Sequence, residues 1–64
     1  MIQEFADAVV KKIRNDMNNY ADDIASGNAK DYEDYRFMCG RLRGLAAAEE
    51  YINDLAKTVK ESEE

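Results

Sequence analysis

The sequence predicts an all-α fold: an antiparallel two-helix hairpin, completed by oligomerisation or by a partner protein. Three observations lead there. The 64 residues contain no proline, so the strongest helix breaker is missing. Apolar residues recur at spacings of three and four, with no alternating strand pattern to compete. A single turn-like segment, Ser26-Gly27-Asn28, separates two long runs of helix formers.

Helix 1 is expected over about residues 2–26. Ala6, Val10, Ile13, Met17, Tyr20 and Ile24 form one stripe with Ile2 and Val9 beside it, while Glu4, Lys11, Asn15 and Asp22 lie opposite. Gly27 can take the left-handed conformation that ends a helix. Asn28 is the expected cap of helix 2, with Asp31 three residues on where an acid favours a helix start. Helix 2 is expected over about 29–60. Its stripe is Tyr35, Met38, Leu42, Leu45, Ile52, Ala56 and Val59, and Glu49 interrupts that seam. Residues 61–64, Glu61-Ser62-Glu63-Glu64, read as a frayed acidic tail. A connection of about three residues makes the helices antiparallel neighbours with a coiled-coil-like seam.

Helix 2 carries more apolar surface than helix 1 can cover. Phe37, Gly40, Gly44, Ala48, Tyr51 and Leu55 make a second line at helical spacing, flanking the first. Gly40 and Gly44 form G-x-x-x-G, with Ala48 four residues further, and small residues at this spacing admit another backbone at close range. Each glycine inside a helix costs about 0.5–1 kcal/mol relative to alanine, so two of them call for a packing reason. Either helix 1 of the same chain packs there, or another chain does. Arg36 and Arg43 border the same groove and face one way. An arginine fork suits a carboxylate on a protein partner or a phosphate. The expected interface is therefore Arg36, Phe37, Gly40, Arg43, Gly44, Ala48, Tyr51 and Leu55.

Composition narrows the function classes. Leu, Ile, Val and Phe total 12 residues and the net charge is −5, values at the edge of those typical of disordered chains. Concentration of these residues on stripes argues for a folded chain whose core is completed elsewhere. Histidine is absent and Cys39 is the one cysteine, so neither a histidine-based catalytic or metal site nor an internal disulfide can form. A thin hairpin offers no deep pocket to tune carboxylates. No enzymatic activity, catalytic residue, cofactor or metal is expected. The acids at the turn, Asp22, Asp23, Asp31, Glu33 and Asp34, lack the spacing and glycine of a calcium loop. Tyr32 and Tyr35 are expected to cap the end of the hairpin. Arg36, Arg41 and Arg43 form an acid-free basic segment, with a solvated face or intramolecular pairing to Asp31 and Glu50 as the plain reading. The acidic net charge argues against nucleic acid. No run reaches the roughly 20 apolar residues of a membrane span. Met1-Ile2-Gln3-Glu4 lacks the pattern of a signal peptide, and a location in the cytoplasm, or in a particle assembled there, is expected.

The stretch Asp31-Tyr32-Glu33-Asp34-Tyr35-Arg36, followed by Cys39-Gly40-Arg41-Leu42-Arg43-Gly44-Leu45, Ala48 and the acidic ending, resembles short proteins of tailed bacteriophages encoded near head and portal genes. The resemblance spans about residues 28–64. It implies viral origin and a virion part, such as a head-associated or cement-like subunit, and it carries no catalytic residues. The expected function is a structural or assembly protein whose helix 2 face docks on its own copies or on a larger phage structural protein. The alternative is a small acidic regulator that binds a host protein through its acidic tip and tail.

Overall fold

The computed structural model describes residues 2–63 and is an all-α helical hairpin. Helix α1 spans Ile2–Ala25 and α2 spans Tyr32–Glu63. They pack antiparallel along their lengths into a rod of 50 × 15 × 12 Å. No strand occurs among the described residues.

The turn is built from local hydrogen bonds. Gly27 takes φ 72°, a left-handed value that only glycine adopts without strain. Its N–H donates to the Ile24 carbonyl at 3.1 Å, and the Asn28 N–H donates to the Asp23 carbonyl at 3.0 Å. Together these make a Schellman end to α1. Asn28 therefore finishes α1 and does not cap α2. Its side-chain amide also turns back, donating to Asp23 Oδ1 at 3.4 Å. The cap of α2 is Asp31, whose Oδ1 accepts from the Asp34 N–H at 2.8 Å. Asp34 Oδ2 in turn accepts from the Lys30 N–H at 3.0 Å. This reciprocal pair resembles a capping box shifted by one residue. It moves the start of α2 from the expected residue 29 to Tyr32. Gly27→Ala should lower stability by about 1–2 kcal/mol, because a Cβ is strained in the left-handed region. Denaturant unfolding of the two proteins measures this directly.

At the other end, α2 continues through Glu63 where a frayed tail from residue 61 was expected. Neither proline nor glycine follows Gly44 to end it, and the Thr58 and Ser62 hydroxyls donate back to the Asp54 and Val59 carbonyls, both at 3.0 Å. Glu64 lies outside the described residues.

The seam follows the stripes. Val9, Val10, Ile13, Met17, Tyr20 and Ile24 of α1 and Met38, Leu42, Leu45, Ile52, Ala56 and Val59 of α2 are all half-buried. Among the described residues only Ala6 is buried, at 7% exposure, and no large side chain is fully enclosed. A two-layer rod one helix thick on each side cannot surround a side chain. Tyr35, expected on this seam, is 40% exposed, and Tyr32 is 72% exposed. The two rings lean on each other, with centroids 6.4 Å apart, and do not close the hairpin. The reason is axial position. Cross-helix contacts of Arg14 with Glu49 and of Tyr20 with Arg41 put the end of α1 about level with Phe37. The first turn of α2 thus runs past α1 and has no helix to lean on.

Glu49, which interrupts the apolar stripe in the sequence, is tied across the seam. Arg14 Nε donates to Glu49 Oε1 at 2.9 Å and its Nη2 donates to Oε2 at 3.1 Å. This fork is the one ion pair among the described residues. The Glu49 side chain is only 19% exposed, against 66% for Arg14. Hydrogen bonding to Arg14 holds the Glu49 carboxyl below its ordinary pKa, and the same contact raises that of Arg14. Because the folded pKa of Glu49 is depressed, its contribution is complete above the ordinary glutamate value of about 4.3. It is lost as pH falls through the lower folded value. Thermal midpoints followed from pH 6 downward should therefore fall below about pH 4.3, and Glu49→Gln should remove that part of the slope.

Candidate functional site

A helix that packs against one neighbour presents about a third of its circumference to it. The small and aromatic line of α2 begins beyond that third. Phe37, Tyr51 and Leu55 are 59%, 66% and 65% exposed. A Cβ built on Gly40 or Gly44 would meet nothing within 4 Å. Helix α1 therefore does not pack on the glycines, and the G-x-x-x-G stripe faces open space. Ala48, at the border with the seam, is half-buried.

Two shallow grooves flank Gly40. On the side toward α1, Phe37, Gly40, Arg41, Gly44 and Leu45 line an open groove of about 480 Å³. On the other side, Tyr32, Tyr35, Arg36, Cys39, Gly40 and Arg43 line one of about 350 Å³. The structure thus brings Arg36 and Arg43 together at one edge of the glycine stripe. Among the described residues neither pairs with Asp31 or Glu50, and both are exposed, which leaves the solvated alternative of the plain reading. Two of the tip acids, Asp31 and Asp34, are occupied by the α2 cap.

Arg41 behaves differently from its neighbours. Its guanidinium carbon lies 5.6 Å from the Tyr20 ring centroid and 6.0 Å from that of Phe37. A cation over two rings is held by both, so Arg41 joins α1 to the wall of the groove and steadies Phe37. Sequence reasoning grouped Arg41 with the other arginines. The missed signal was Phe37 four residues before it on the same helix side.

At the end of the hairpin opposite the turn, the apolar surface widens. Ile2, Phe5, Ala6, Val9, Ile52, Leu55, Ala56 and Val59 line a nearly all-apolar hollow of about 230 Å³. Phe5 is 73% exposed and Ile2 is 54% exposed. The hollow shares Leu55 with the second face of α2. Phe5 was not among the expected interface residues, since it stands off the helix 1 stripe, although Ile2 three residues before it and Val9 four after it lie on the same helix side.

Cys39 is half-buried and free. Side-chain hydrogen bonding with it, then its charge, raises the pKa of the Tyr35 phenol. No group of three metal-ligating side chains occurs among the described residues. No described helix is long and apolar enough to cross a membrane. Comparison with protein-family models, with curated proteins and with solved structures gave no match.

Proposed function

We propose that the chain is a non-enzymatic assembly module whose α2 face is buried by another protein chain. The carrying observation is the open glycine stripe, walled by exposed Phe37, Tyr51 and Leu55. Two interior glycines lower helix stability and are repaid only when a backbone or a large side chain settles on them. The resemblance of residues 28–64 to short proteins encoded near tailed-phage head and portal genes supports a virion or infected-cell setting, with a role in building or fastening the particle.

The test is the presence of the chain at fixed stoichiometry in purified particles of a phage that encodes it. A Gly44→Leu chain should be made but left out of them. Equal incorporation of both forms would overturn the assignment of the α2 face.

A further inference from the structure

One edge of the α2 face carries a charge pattern that changes sign along the helix. At 100° per residue, Arg36, Arg43, Glu50 and Asp54 share that edge. The N-terminal half is positive and the C-terminal half negative. All four residues are exposed, and none takes part in an ion pair among the described residues. Such an edge complements itself when two copies run antiparallel. A two-fold axis lying in the contact plane brings like edges together with their directions reversed.

The centre of the pattern falls at about residue 46. Reversal about that point puts Arg43 about 1.5 Å along the axis from Glu50 of a second copy, and Arg36 about 3 Å from its Asp54. Both offsets are within reach of an arginine side chain. The same operation sets Gly44 opposite Ala48, so the helices come closest where both side chains are small. It sets Tyr51 over the groove of Phe37, Gly40, Arg41 and Gly44, and Phe37 against Leu55.

Area points the same way. The chain exposes 5323 Å², whereas a compact monomer of this mass exposes about 4,200 Å². The excess of about 1,100 Å² exceeds the roughly 800 Å² per partner of a standard interface and falls in the range of obligate homodimers.

We propose that the occupant of the α2 face is a second copy of this chain, docked antiparallel about a two-fold axis near residue 46 to form a four-helix bundle. The proposal rests on reading that face as an interface and adds the identity and orientation of the partner.

Sedimentation equilibrium of the full chain, from low micromolar to near-millimolar concentration, tests it. The mass should rise from 7.3 kDa to twice that value and stop. Arg43→Glu and Glu50→Arg should each raise the dissociation constant about tenfold, since the symmetry counts every change twice. The double variant Arg43→Glu/Glu50→Arg should return to wild-type affinity. Circular dichroism at matched concentration checks that these exposed changes leave the helices intact. A wild-type chain that stays monomeric, one that forms trimers or larger species, or a double variant no better than the singles would each overturn the self-pairing. A monomeric wild type leaves the incorporation test above to judge the face itself. Dimerisation unaffected by Gly44→Leu would sink the face reading as well.

Discussion

Leu42→Asp should abolish the folded hairpin. Leu42 is half-buried in the α2 seam, one turn in from Met38. Full burial of a leucine side chain is worth about 1.5–3 kcal/mol, so its half-burial contributes about half as much. The substitution also turns a carboxylate toward an apolar stripe with no cation among its seam residues. In a rod without one large enclosed side chain among the described residues, total stability is the sum of a dozen half-buried contacts, and losing one while setting a half-buried charge against the apolar seam consumes most of it. Far-UV circular dichroism should show loss of most helix signal at 25 °C and no cooperative thermal transition. A thermal midpoint within a few degrees of wild type would mean that the seam is not what holds the helices together.

Gly44→Leu should do the reverse. Leucine is a far better helix former than glycine, by about 0.5–1 kcal/mol in a helix interior, and its Cβ has open space in this chain. Helix content and thermal midpoint of the separate chain should rise. Association should fall, because the new side chain stands where the neighbouring backbone must come closest. The informative result is this opposition: a variant better at forming helix and worse at assembling. If helicity and association rise together, Gly44 is no contact point. If both fall, the glycine serves the fold of the single chain.

Much of this architecture is legible from residue order. The two helices follow from the stripes and from Gly27, and the open line Phe37, Gly40, Gly44, Tyr51, Leu55 follows from the 100° rule alone. The start of α2 was harder. Asn28 and Asp31 are both good caps, each with an acid three residues on, and local preference cannot rank them. The side chains decide it: the Asn28 amide turns back to Asp23, while the Asp31 carboxylate accepts from the Asp34 N–H. Glu49 looked like a defect because its partner Arg14 is 35 positions away, and only the axial alignment of the helices pairs them. Tyr32 and Tyr35 failed as a cap for a related reason: where α1 ends relative to α2 is set by the turn geometry, which composition does not encode.

The same turn bears on how fast the chain folds. From Asp22 to Tyr35 every hydrogen bond of the turn joins residues no more than five apart. Nothing distant is needed to shape it. It can therefore form early and bring the two helices together before the seam zips from that end, with little loop-closure entropy to overcome. For a chain that exposes Phe5, Phe37, Tyr51 and Leu55 even when folded, a short interval spent unfolded limits the time in which further apolar surface can draw copies into the wrong arrangement.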